Sequence, residues 1–276
     1  MSPSILFYTI ASGGYSKYVL PFVCAAIALQ KNAWCEVLTN AEDVERLNKQ
    51  LPEMAKGHVL IREIPPQYLG WRIIPVEKRV DGYGSRHPSG SIRWLEAPTF
   101  VADYIYTCDC DILLTDPNLL DFHLHRMAVI GLPYSNIVRQ VLPGLDQQRM
   151  TGCHFAQYRP WFQRVDSELM ARMFTDLDSG IFNYYDERLL YHLAESTFGL
   201  PPEATRGNYA LRPIHGLHVA SSRAPTDRLG WNINPTTIAQ YRALEKTTIW
   251  QRTKGNFAPE YNAMLKRLEE AIRHES

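Results

Sequence analysis

The sequence predicts an α/β protein, one open sheet flanked by helices with a helical tail. Three observations predict it. Strand-like and helix-like stretches alternate through the opening third, as they do in open parallel sheets. The composition is that of an ordinary globular domain, 45% hydrophobic and 21% charged, with ample material in 276 residues for one large core. The chain closes on an amphipathic stretch of helical period.

Ile5 to Ile10 (ILFYTI) is a buried strand, and ASGGYSK is the loop after it. Val19 to Gln30 is helical and Cys35 to Thr39 (CEVLT) is a second strand, which completes a βαβ start. Ala41 to Leu51 is a helix and Val59 to Ile64 a third strand. From Pro65 to Gly90 prolines and glycines break the pattern, and DGYGSRHPSG, with Arg86 and His87, is expected as a lid-like loop. A short helix, Ser91 to Ala97, leads to the strand at Tyr104. Met127 to Leu132 is expected as a strand, and CHFAQYRPWF holds another. Asp186 opens and caps the helix DERLLYHLAEST, whose apolar side carries Leu189, Leu190 and Leu193. LRPIHGLHVA (211–220) alternates like a strand. Pro259 opens the last helix, with Tyr261, Met264, Leu265, Leu268 and Ile272 on one face. Residues 1–235 are expected as one domain and 236–276 as a helical extension.

Lysine plus arginine and aspartate plus glutamate number 29 each, so no global field draws the chain to nucleic acid. The longest apolar stretch, Tyr18 to Leu29, is 12 residues and includes Pro21, whereas a membrane span needs about 20. A strand-like run and Gly13-Gly14 precede it, which argues against a cleaved signal. The expected location is the cytoplasm, with peripheral contact at an inner membrane compatible with it. Five cysteines in odd number, with no CxxC spacing, suit free thiols in a reducing compartment.

The chemistry is concentrated in YIYTCDCDILLTDP (104–117). Asp109 and Asp111 interrupt a β-rich, apolar run, and burying an unpaired charge is expensive. At the carboxyl edge of a sheet the two carboxylates escape burial, and a hard divalent cation, magnesium or manganese, accounts for their proximity.

ADYIYTCDCDILLTDP resembles the aspartate segment of the metal-dependent GT-A glycosyltransferases, and most nearly that of glycosyltransferase family 8. The resemblance implies the GT-A fold, a Rossmann-like nucleotide-binding mixed sheet. It also implies transfer of a sugar from a nucleotide sugar, a UDP-sugar, to a glycan, lipid-linked glycan or protein. Asp109 and Asp111 would hold manganese against the donor diphosphate, with Cys110 standing where the family often has alanine. Tyr8, Thr9 and Tyr15 would face the nucleotide. Arg93, on the helix before the aspartates, would face the sugar or the second carboxylate. MTGCHFAQYRPW, with Gly152 and His154, occupies the place of a glycine segment. YDERLLYHL would bring Asp186 and Glu187 to the sugar and the acceptor. IHGLHVASSRAPTDRLGW stands where the family has a histidine motif. His215 and His218 compete there to be the third metal ligand, His218 having the better downstream spacing. Arg223 would replace a diphosphate-binding lysine. The relatives retain anomeric configuration; inversion would need a base, for which Asp186 and Glu187 are candidates. Two rival readings stand beside this one. A sugar nucleotidyltransferase would want a better phosphate loop than ASGGYSK, and a non-catalytic carbohydrate-binding protein would have no need of the intact aspartate pair.

Overall fold

The computed structural model describes residues 3–30, 32–68, 89–139, 148–164, 186–202, 215–219 and 234–275. Arg86, His87, Arg223 and Trp231 lie outside the described residues, as does most of the expected loop from 65 to 90.

The central strand is β1 (Ile5–Ala11), seven residues buried throughout, as its unbroken apolar run requires of a parallel strand covered on both faces. It pairs in parallel with β2 (Ala33–Thr39) on one side and β4 (Tyr104–Thr107) on the other, and β3 (Val59–Glu63) extends the parallel set beyond β2. β9 (His154–Gln157) runs antiparallel to β4, and β6 (Tyr134–Ser135) antiparallel to β9. The order is β3-β2-β1-β4-β9-β6, a mixed sheet of six strands. Two small antiparallel pairs stand apart from it. β5 (Ile112–Leu114) pairs with β10 (Gly216–His218), and β7 (Val138–Arg139) with β8 (Arg149–Met150).

Alternation along β1 sends side chains to both faces. Ile5 and Phe7 join a core with α1 (Val19–Leu29), β5 and α4 (Leu119–Ile130). Leu6, Tyr8 and Ile10 join a second core with α3 (Ser89–Leu95), α5 (Tyr158–Arg164) and α6 (Asp186–Phe198). α2 (Ala41–Gln50) lies between β2 and β3 in sequence. The C-terminal helices α7 (Pro235–Glu245), α8 (Thr248–Thr253) and α9 (Pro259–Glu275) contribute Tyr241, Trp250, Tyr261 and Leu268 to the core shared with α1. No described helix is long and apolar enough to cross a membrane. All five cysteines are free and buried.

One expected element differs in kind. Met127 to Leu132 is not a strand; its first four residues close α4. The buried residues Leu119, His123, Met127 and Ile130 follow helical spacing, and Gly131 ends the helix in the left-handed region at φ 68°, its N–H reaching Met127 O. The period is blurred because Phe122 and Val129, 43% and 63% exposed, put apolar residues on the solvent face as well. Of the expected strand 211–220, the described part is the three-residue β10.

Candidate active site

β4 ends at Thr107, and the chain turns through Cys108-Asp109-Cys110-Asp111 at the carboxyl edge of the parallel strands. The Asp109 side chain is 46% exposed and that of Asp111 6%. Cys110 faces the opposite way. It is buried in the core, its thiol contacts the Tyr15 carbonyl oxygen at 3.9 Å, and burial holds the thiol well above its ordinary pKa. Cys110 therefore packs the turn, its side chain, expected at the nucleotide, lying in the core.

A third ligand group comes from β10. Its register sets His218 opposite Ile112, and Val219 N–H donates to Asp111 O at 2.9 Å, so the strand is tied to the aspartate turn itself. The approach is close: a Cβ on Gly216 would sit 1.9 Å from Leu113 O, which only glycine avoids. One ligand atom from each of Asp109, Asp111 and His218 lies within 4.8 Å of the others, and His218 Nε2 is 3.5 Å from Asp111 Oδ1. Two hard carboxylate oxygens and one imidazole nitrogen, with His218 and Asp109 reachable from solvent, fit manganese or magnesium with open positions.

His215 is not part of this group. Its Nδ1 lies 2.7 Å from Asp116 Oδ2 and its Nε2 3.0 Å from His123 Nε2, so both ring nitrogens are engaged inside the fold. Residues 215 and 218 are three apart in an extended segment, which puts them on opposite faces. That parity is the sequence signal that separates the two histidines.

Arg93 organises the other side. It is buried, and it donates to Asp109 Oδ1 and to Asp186 Oδ2 at 2.6 Å each, with its guanidinium over the Trp94 ring. Burial alone would lower its pKa, but Asp109 and Asp186 outweigh that and hold it above the ordinary arginine value. The carboxylate it meets is the first of the pair, Asp109. Asp186 begins α6, and its other oxygen accepts the Glu187 N–H at 2.9 Å. Glu187 is held in turn by Arg139 at 2.7 Å and Arg149 at 3.6 Å, from β7 and β8. Gly152 lies against the row, where a Cβ would be 3.4 Å from Asp109 Oδ2 and 3.5 Å from an Arg93 nitrogen. At Gly90 a Cβ would come within 3.2 Å of Asp186 Oδ2. Sequence reasoning missed Arg139 and Arg149, because strands of two residues leave no periodic signal, and Gly90, which stood at the end of the expected loop.

Of the residues expected at the nucleotide, Tyr15 lies half-buried beside Cys110, 5.6 Å from the Tyr18 ring. Tyr8 does not reach the site. It is buried in the second core, its hydroxyl donates to Glu96 O at 3.0 Å, and burial raises its pKa well above 10.0. Thr9 is also fully buried, and its hydroxyl donates to Cys108 O at 2.7 Å. It pins the aspartate turn to β1, so its side chain, expected at the nucleotide, is engaged inside the fold. His154 is buried among Trp94, Tyr134 and Trp161, with Nδ1 on Asn136; burial pushes it down to about 3, so it stays neutral.

No family model matches the sequence, and no curated protein matches it. Solved structures do. The galactosyltransferase LgtC, in complex with donor and acceptor sugar analogs, superposes with a TM-score of 0.53 at 13% identity, covering 94% of this chain and 99% of that one. The glycosyltransferase GlyE of Streptococcus pneumoniae TIGR4 matches at a TM-score of 0.42 and 10% identity, over 72% of this chain and 44% of that one. The protein thus has the mixed-sheet α/β fold of the GT-A glycosyltransferases, the fold of LgtC.

Proposed function

We propose that this protein is a metal-dependent glycosyltransferase that moves a sugar from a UDP-sugar to a glycan, lipid-linked glycan or protein, with retention. The observation that carries the proposal is the convergence of Asp109, Asp111 and His218 at the carboxyl edge of a GT-A sheet. Residues 1–235 carry the site and 236–276 brace it behind α1. The five free thiols support a reducing, cytoplasmic setting.

Asp109, Asp111 and His218 would hold manganese or magnesium. Such an ion, when bound, supplies positive charge beside a departing diphosphate. Arg93 fixes Asp109 in place and sets Asp186 at a constant distance from it, which orients the sugar side of the site. Tyr15 borders the nucleotide side, and Arg223 is assigned to the diphosphate. Asp186 and Glu187 are both committed to arginines, which supports positioning roles and a retaining course over base catalysis.

The test is UDP binding by calorimetry with manganese, with EDTA, and with Asp111→Asn. The expected result is binding that needs both the metal and Asp111. Equal binding of another nucleoside diphosphate would change only the base assigned; no binding of any would end the transferase reading. Release of free sugar and UDP from a UDP-sugar separates it from a nucleotidyltransferase, which would handle pyrophosphate and triphosphate.

A further inference from the structure

We infer that Asp116, His215, His123 and Ser135 form a positioning chain that fixes the register of β10 and so aims His218 at the aspartate pair. The inference rests on the metal-site reading above and adds four residues to it that touch no ligand.

The chain is continuous. Asp116 Oδ2 is 2.7 Å from His215 Nδ1, His215 Nε2 is 3.0 Å from His123 Nε2, and His123 Nδ1 is 2.9 Å from Ser135 Oγ. One proton assignment satisfies every link. The Asp116 carboxylate accepts from His215 Nδ1–H. His215 Nε2 then accepts from His123 Nε2–H, and His123 Nδ1 accepts from the Ser135 hydroxyl. Burial holds His123 well below its ordinary pKa, which suits the single proton this assignment gives it. His123 is stacked on Phe155 at 4.7 Å and 5°, so α4 cannot rotate it away cheaply.

The register needs such a lock. β10 is three residues long and, among the described residues, pairs only with β5. A slip of one residue in a strand turns every side chain to the other face, and here it would aim His218 away from Asp109 and Asp111. Two backbone N–H groups, of Thr115 and Asp116, donate to His215 O, and the glycine at 216 permits the close approach beside it. The side-chain chain anchors the start of β10 to α4 and β6, while Val219 N–H anchors its end to Asp111.

The experiment compares full-length His123→Leu, which breaks the chain, with His123→Gln, which keeps an N–H donor for His215. Asn234→Ala, in the α7 cap far along the chain, serves as a control for general destabilisation. Manganese affinity is read by electron paramagnetic resonance, and hydrogen exchange of 215–219 is read in metal-free protein. His123→Leu is expected to bind manganese about tenfold more weakly and to speed exchange at 215–219, with His123→Gln close to wild type. Should His123→Leu not fold, Ser135→Ala replaces it, with the same expectation at smaller size. A folded His123→Leu with unchanged affinity and exchange overturns the inference, as does an equal loss in Asn234→Ala. Wild-type protein that binds no manganese ends the metal-site reading; faster exchange in His123→Leu then still supports the register lock, and unchanged exchange overturns that as well.

Discussion

Asp109 and Asp111 differ in what each holds. Asp111 is nearly buried and its carbonyl carries β10, whereas Asp109 is half-exposed and neutralises Arg93. The heavier structural duty falls on the arginine. Arg93→Ala leaves Asp109 and Asp186 facing each other without a counter-charge, and is expected to cost about 3 kcal/mol in urea unfolding. His154 makes a separate, pH-readable contribution. Its folded pKa lies near 3, below the ordinary 6.5, so the unfolded chain binds the extra proton first. The stability it contributes is complete above pH 6.5 and is lost as pH falls towards 3, at about 1.4 kcal/mol per unit. Urea midpoints at pH 7 and pH 5 are expected to differ less in His154→Phe than in wild type. At this scale the aspartates were legible, because two carboxylates in an apolar run demand a reason. The Tyr8 and Thr9 side chains are engaged inside the fold; a strand running to the site edge shows which residues are near it, but not which hydroxyls the backbone has already taken.

Among the elements, β10 is the least self-sufficient and the most consequential. Gly216→Ala drives a methyl into the Leu113 carbonyl, so β10 must leave its register. The variant is expected to stay folded in far-ultraviolet circular dichroism while losing metal-dependent UDP binding by tenfold or more, about the loss seen when a metal site's supporting shell is broken. The helix caps are ordinary by comparison. Asn234 accepts from the N–H groups of Thr236 and Thr237 at 3.0 Å in a capping box, and Asn234→Ala is expected to lower stability by about 1 kcal/mol with UDP binding intact. Long elements, the unbroken apolar runs of β1 and α1 and the amphipathic α9, were legible from local pattern. The short strands β6, β7 and β8 were not, since two residues leave no periodic signal; β10 was legible within 211–220, but not its partner β5, a hundred residues away in sequence. The false strand at Met127 has the complementary cause, a helix whose exposed side is also apolar.

Across the whole molecule, the C-terminal helices are built into the core on the α1 side. The Tyr18 hydroxyl reaches Met264 Sδ at 3.8 Å, and the Tyr18 and Tyr261 rings meet edge-on at 5.9 Å. A chain ending at residue 234 would uncover the Tyr18 ring and the side of α1 that α8 now packs against. It is expected to lose its cooperative melting transition in calorimetry, whereas the full chain shows one. The sequence displayed the apolar face of the last helix plainly; it could not display what covers that face, which is why the boundary at 235 looked like the start of an appendage. The burial of all five thiols gives the molecule a set of internal clocks. Cys24 lies on α1 and Cys35 on β2, while Cys108 and Cys110 belong to the aspartate turn and Cys153 lies in the same core. None can meet a thiol reagent until its own region opens, so the sequence in which the five are modified in unperturbed protein records which half of the molecule breathes first.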